Sequence, residues 1–348
     1  MAPDNRRRRL SLGWAGVAGI VLSVILLWWT LRDIRLADLI GHMRAVAVVP
    51  FAGCVVVATL VFPLRTIRWR YLLQLDERAL PFVPLWHATA IGFMANNLLP
   101  ARAGEVARVY AVRQLTGVQF SAAAGSLVVE RVMDGLTLVT LLGIGILASD
   151  FDTGTVVLGL SFGRWLGGVG LLFVVLLGGA IWAVHWPDPA LSLSRWVISR
   201  TLPVRWADKA LGAVAGVFEG LSALRNWRRF GIASAWSVIV WSVNGFSFYL
   251  CIVAFDLPVP WSTALILQSL IAFGVSLPSA PGFFGPFEAV TKGTLLLYSI
   301  DATVATSYAF GYHLFTFVPI TLLGLWSLAR TRLHLTDLGT HDAPPTDD

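Results

Sequence analysis

Asn97-Leu98-Leu99-Pro100-Ala101-Arg102-Ala103-Gly104-Glu105 has an echo later in the chain, in Ser276-Leu277-Pro278-Ser279-Ala280-Pro281-Gly282-Phe283-Phe284-Gly285-Pro286-Phe287-Glu288. Both stretches carry Leu-Pro, a glycine four residues after that proline, and a glutamate soon afterwards. Each interrupts an otherwise apolar segment, at about 82–120 and 262–300. Proline removes a backbone donor and glycine admits a tight turn. Each segment therefore reads as a hairpin of two short helices, with Pro100, Gly104, Pro278, Pro281, Gly282 and Gly285 shaping the tips.

Around these segments lie six uninterrupted apolar runs, at about 10–31, 45–64, 121–148, 165–185, 231–255 and 303–329. Each is long enough to cross ~30 Å of hydrocarbon. Of the 348 residues 56% are hydrophobic and 13% charged, against roughly a quarter charged in a soluble domain. Mean hydropathy is +0.73. The chain is therefore a polytopic integral membrane protein without a soluble catalytic domain. Its 15 Trp suit the membrane–water interface. The +6 net charge comes from basic residues between the apolar runs, so it signals topology and not nucleic acid. Cys54 and Cys251 lie in apolar runs without metal-ligand spacing and read as packing residues. Arg6 to Arg9 precede a first run too long for a signal peptide and lacking a small-residue cleavage site, which makes it an uncleaved span.

Charge orients the spans, because cytoplasmic loops collect Lys and Arg. The amino terminus, the stretch around Arg65, Arg68, Arg70 and Arg78, the basic loop 186–230 and the end at Arg330 and Arg332 fall in the cytoplasm. The acidic loop 149–164 and the loop 32–44 fall outside. In this threading segment 82–120 enters and leaves on the cytoplasmic side, and 262–300 does so from outside. The expected fold is all-α: about six full transmembrane helices plus two oppositely oriented re-entrant helical hairpins, an inverted repeat. The expected organisation is a basic cytoplasmic amino terminus at 1–9, one membrane domain at 10–332 with a cytoplasmic amphipathic segment at about 186–230, and a disordered cytoplasmic tail at 333–348. The expected location is the bacterial cell membrane, with both termini cytoplasmic.

Inverted repeats with broken helices build transporter sites between the repeats, and irregular backbone at membrane depth needs protein or a water-filled cavity around it. Both tips therefore mark a polar cavity. The helix opening near Gly104 would point N–H groups into it, with Arg102 and Arg108 flanking an anion; alternatively Arg102, Arg108 and Arg113 are topology anchors. The third span carries Glu130-Arg131-Val132-Met133-Asp134, about 15 Å into the run. Ionisable groups that deep are costly and by default functional. Pinning the span to the first hairpin through Glu105 or Arg108 explains them equally well. Glu288 caps the second hairpin's return helix or meets substrate, with Lys292 as its partner one turn on. His87, Asn244, Gln268 and His313 read as residues bonding a neighbouring helix, His313 being the best placed of them for proton coupling. The set expected at a substrate is Asn97, Arg102, Glu105, Arg108, Glu130, Arg131, Asp134 and Glu288.

Three motifs in order, Asn97-x-x-Pro100-x-Arg102-x-Gly104-Glu105-x-x-Arg108, Glu130-Arg131-x-x-Asp134 and Leu277-Pro278-x-x-Pro281-Gly282-x-x-Gly285-x-x-Glu288, resemble the flippase-like transmembrane domain of lysylphosphatidylglycerol synthases. The resemblance covers roughly residues 10–330 and implies lipid translocation with these motifs along the headgroup path. The soluble aminoacyl-transfer domain of the two-part synthases has no counterpart here, so lysyl-lipid synthesis is not implied. The expectation is a membrane protein that moves an anionic or polyprenyl-phosphate-type lipid between leaflets, without cofactor, metal or enzymatic activity of its own. Its partners would be the lipid itself and enzymes of a lipid or glycan pathway. A secondary transporter of a small solute and a non-transporting accessory subunit are the competing expectations.

Overall fold

The computed structural model describes residues 14–73, 80–99, 103–149, 156, 157, 160–201, 203, 207, 211, 214, 227–276 and 279–333. Pro100, Arg102, Leu277 and Pro278, the amino terminus, the tail and most of the amphipathic stretch at 203–226 lie outside the described residues.

The six apolar runs become helices: α1 Trp14–Leu31, α3 Val48–Leu73, α6 Phe120–Leu147, α7 Phe162–His185, α9 Trp227–Ala254 and α12 Ala302–Thr331. Three of them, α3, α9 and α12, are both long and apolar enough to cross a membrane. The stretch 32–44, expected as an exterior loop, instead contains a helix, α2 Leu36–Arg44, which meets α1 at a 79° bend. Leu36, Leu39, Ile40 and Met43 recur at helical spacing, and Leu39 is buried in the face turned to α12. Taken together, the bent pair is a fourth candidate span. Helix α6 is 28 residues long, about 42 Å at 1.5 Å per residue, but carries Glu130, Arg131 and Asp134 in its middle. A two-residue pair of strands, Val156–Val157 with Leu160–Ser161, precedes α7, and α8 Pro187–Thr201 follows it.

Both broken segments are helical hairpins. The first pairs α4 Phe82–Leu98 with α5 Ala103–Thr116; the second pairs α10 Thr263–Gly274 with α11 Pro286–Leu296. None of the four exceeds 17 residues, about 25 Å, short of the ~30 Å hydrocarbon core. The bases of the two hairpins lie at opposite ends of the bundle. His87 near the start of α4 packs on Trp326 near the end of α12, with ring centroids 5.4 Å apart, and α5 leads into the start of α6. At the other end Ser262, just before α10, donates to the Ala148 carbonyl at the far end of α6, 3.3 Å away. About two turns deeper, Ser269 reaches the Leu138 carbonyl at 3.1 Å. The tips meet between those ends: the Pro281–Phe283 turn contacts α4, and Asn97 Nδ2 donates to Thr321 Oγ1 of α12 at 2.9 Å.

Each hairpin closes over its own hydrophobic cluster. The first gathers Trp69, Leu85, Ile91, Met94, Ala107, Ala111 and Val112. The second gathers Phe248, Leu267, Phe287, Leu295, Tyr308 and Tyr312. Cys54 and Cys251 are buried free thiols within the second cluster, as packing residues should be. Gly104 was expected to serve a tight turn, but it lies in the first turn of α5, where the constraint is steric. A Cβ there would stand 2.0 Å from the Gly92 carbonyl oxygen of α4, so only a glycine lets the two backbones cross so closely.

Candidate functional site

Glu130 and Asp134 lie four residues apart on one face of α6, and that face is turned inward: both are buried. Two neighbouring helices supply the countercharge. From the last turns of α3, Arg68 bonds Asp134 and stands 3.2 Å from Glu130 Oε1, while Arg65 Nη1 lies 3.5 Å from Asp134 Oδ2. From α5, Arg108 Nη1 donates to Glu130 Oε1 at 3.0 Å. On α6 itself Arg131 Nη2 reaches Glu130 Oε1 at 2.6 Å and Asp134 Oδ2 at 3.2 Å, with Glu105 Oε1 at 4.0 Å from its Nε. The indole N–H of Trp241 on α9 donates to Asp134 Oδ1 at 2.7 Å. Burying an ion costs several kcal/mol unless partners and hydrogen bonds compensate. Four guanidinium groups thus share three carboxylates, and the network ties α3, α5, α6 and α9 together.

Aromatic faces complete the surroundings. The Arg108 guanidinium stacks over Trp69 at 3.8 Å and that of Arg65 over Trp241 at 4.7 Å, arrangements that favour a desolvated cation.

A cavity of about 500 Å³ opens beside this network and runs between the two hairpins. It is lined by Asn96 and Asn97 from the first tip, Glu105, Arg131, Asp134 and Arg65, and by Gln268, Ser276, Phe287, His313 and Thr316 from the second hairpin and α12. Arg131 and Glu105 retain 44% and 42% of their side-chain exposure, so the charged wall is accessible.

Behind His313, Glu288 is fully buried in the first turn of α11. Its Oε2 accepts from the Gly285 N–H at 2.7 Å, the capping role anticipated for it, and its Oε1 meets His313 Nδ1 of α12 at 2.6 Å. Gly285 is held where a side chain could not be: its φ is +99°, and a Cβ would lie 2.4 Å from the Ser23 carbonyl oxygen of α1. Lys292 is not the partner of Glu288. Its ammonium donates to the Thr30 carbonyl at 2.8 Å, over the Trp29 ring, and so anchors α1. The i,i+4 spacing allowed the pairing, but α1 offers orphan carbonyls at its carboxyl end while His313 takes the glutamate.

Of the residues expected at a substrate, Asn97, Glu105, Arg131 and Asp134 line the cavity. Arg108, Glu130 and Glu288 stand behind it, committed to Trp69, the arginines and His313 respectively. The backbone donors at the start of α5 are less free than expected, since the Gly104 N–H donates to Asn96 Oδ1 at 2.9 Å. Arg131 is paired with three carboxylates, Glu105, Glu130 and Asp134. Asn244 and Gln268 bond each other across α9 and α10 at 3.1 Å, and His87 packs on Trp326. Sequence reasoning missed Arg65 and Arg68, taken as loop anchors past a span ending at residue 64. The signal was present: they are three apart in a stretch where Ile67, Trp69, Leu72 and Leu73 continue the helix past residue 64, a spacing complementary to Glu130 and Asp134.

A helical membrane bundle with two broken-helix hairpins around a charged cavity is thereby defined. The chain belongs to the family described as the lysylphosphatidylglycerol synthase TM region, whose model matches residues 16–324. It is similar to two proteins of Methanothermobacter thermautotrophicus, each named UPF0104 membrane protein. One is 24% identical over 89% of this chain and 86% of its own length; the other is 23% identical over 78% and 80%. It is also 27% identical to the glycosyltransferase AglD of Haloferax volcanii across 92% of this chain, which spans 55% of that protein.

Proposed function

We propose that this membrane protein carries an anionic amphiphile, of the phospholipid or polyprenyl-phosphate type, between the leaflets of the cell membrane, and is not itself an enzyme. The observation that carries the reading is a cavity bounded by both hairpins and lined by Arg65 and Arg131. Within the network guanidinium groups outnumber carboxylates, so an entering phosphate meets a surplus positive charge. Arginine forks suit phosphate oxygens in pairs. In this reading the six long helices cross the bilayer, the hairpins re-enter from opposite faces, and both termini are cytoplasmic. The tips then meet near the midplane, where alternating access would expose the cavity to each side in turn. The likeness to a protein named as a glycosyltransferase favours a polyprenyl-phosphate carrier serving a glycan pathway among the possible lipids.

The test is leaflet-resolved movement of a fluorescent (NBD-labelled) phosphatidylglycerol and of a labelled polyprenyl phosphate in phosphatidylcholine vesicles holding the purified chain. Movement should exceed that of empty vesicles, fall strongly in Arg65→Met and Arg131→Met, and persist in Arg228→Gln, which lies outside the cavity. Vesicles with and without protein behaving alike for both lipids would remove the transport reading.

A further inference from the structure

We propose that Glu288 and His313 form a proton-binding site on the cavity wall, so that one proton accompanies each anionic headgroup. This rests on the cavity being the headgroup path, and it names the ion that drives the movement.

Two polar clusters share one cavity but differ in chemistry. The arginines keep their protons throughout, so the network on α3, α5 and α6 has a fixed charge. Glu288 instead has as its ion-pair partner an imidazole, a group that exchanges protons near neutral pH. An ionised Glu288 can only accept. Its Oε2 takes the Gly285 N–H, so Oε1 takes the Nδ1–H of His313. That leaves Nε2, on the side of the ring away from the carboxylate, as the basic nitrogen of a residue that lines the cavity. With one proton, on Nδ1, the pair carries a net charge of −1. A proton delivered from cavity water to Nε2 gives an imidazolium–carboxylate pair of net charge zero, and no other bond changes. An anion entering beside the singly protonated pair meets repulsion; beside the neutral pair it does not. Anion and proton therefore bind with positive coupling, and the coupling is reciprocal.

The surroundings suit a proton that must come and go. Phe287 stacks on the imidazole at 4.2 Å and Phe284 lies at 4.6 Å, faces that stabilise the cation when it forms. Among the described residues, the ion pairs of Glu288 and His313 are with each other and with no fixed cation. Lys292, on the same helix as Glu288, is turned to the Thr30 carbonyl of α1. Tyr312 of α12 is engaged with Ser247 of α9, and Tyr308 donates to the Phe248 carbonyl. The facing groups of α1, α4 and α10 are uncharged: Ser23, Asn97 and Gln268. The charges that share the cavity with the pair are Arg65 of α3, Glu105 of α5, and Arg131 and Asp134 of α6, none of them in ion-pair contact with it. The site also reaches the backbone. Glu288 holds the Gly285 N–H, and that turn packs against Ser23, whose hydroxyl takes the Ala280 N–H at 2.7 Å. Loading the proton draws on the carboxylate that secures the second hairpin's tip against α1.

Two measurements on the full chain decide it. In nanodiscs, 15N-histidine spectra should show His313, identified by its loss in His313→Gln, gaining a proton on Nε2 as the pH is lowered while Nδ1 stays protonated. In vesicles with a one-unit pH gradient, NBD-phosphatidylglycerol should reach a leaflet ratio of about 10, the ratio one coupled proton sustains. That ratio should fall to about 1 in His313→Gln, whose amide N–H still serves Glu288 and keeps the tip in place. An Nε2 that never titrates overturns the proposal, and so does a ratio that is unchanged in His313→Gln. Lipid that moves in the wild type without asymmetry overturns the coupling and leaves the transport reading standing. No movement in the wild type removes the transport reading, and the coupling falls with it.

Discussion

The two hairpins hold their tips in opposite ways. The first is held by fixed charge and close backbone contact: Arg108 of α5 binds Glu130, and Gly104 crosses Gly92 with no room for a side chain. The second is held by a titratable pair, Glu288 with His313, and by Gly285 at a positive φ against α1. The first network pairs guanidinium groups with carboxylates, the second a carboxylate with an imidazole. In the proposed reading the first holds the anion and the second binds the proton.

The strongest way to break the contrast is to remove Arg68, which is fully buried and serves both Glu130 and Asp134. Arg68→Met leaves two buried carboxylates undercompensated and should cost about 3–5 kcal/mol. Thermal unfolding in detergent should show a large fall in midpoint, and an unchanged midpoint would mean that the network does not hold the bundle. Next comes Arg131→Met. Its side chain is 44% exposed, so the fold should survive. Loss of a charge-assisted contact, discounted for solvent, should slow lipid movement about tenfold, read in the vesicle assay beside a normal elution profile. Gly104→Ala sharpens the steric side of the comparison: forcing a methyl against the Gly92 carbonyl should destabilise by about 1–3 kcal/mol. Asn244→Ala should matter least. It removes one bond between α9 and α10, and interhelical bonds of this kind average about 0.6 kcal/mol. A midpoint loss as large as that of Arg68→Met would show that this contact, and not the charge network, secures the bundle.

Much of this was legible before any coordinates. The apolar runs at 231–255 and 303–329 fall within a residue or a few of α9 Trp227–Ala254 and α12 Ala302–Thr331, because length and hydropathy alone select such helices. The breaks at both Leu-Pro motifs mark where helices stop, since proline and glycine act locally. Arg131 could be assigned its partners because Glu130 and Asp134 share its helix. Pinning of this span to the first hairpin through Glu105 and Arg108 was also legible; what failed were the partners offered by other segments. Arg65 and Arg68 looked like the basic end of a span, the very pattern that cytoplasmic anchors produce. Lys292 looked like the mate of Glu288, and residues 32–44 looked like a loop because their charges hid a short amphipathic helix.

From residue chemistry and order alone follow the membrane class, the helix positions, the two broken segments and the presence of buried charge, all of which depend on neighbours within a turn or two. Only the tertiary structure decides that α3 delivers two arginines to α6, that His313 and not Lys292 meets Glu288, and that both tips border one cavity. The side-chain pairings among these join residues 25 to 69 positions apart. At such separations the sequence states which charges must be compensated, but the packing of one helix on another selects the partner.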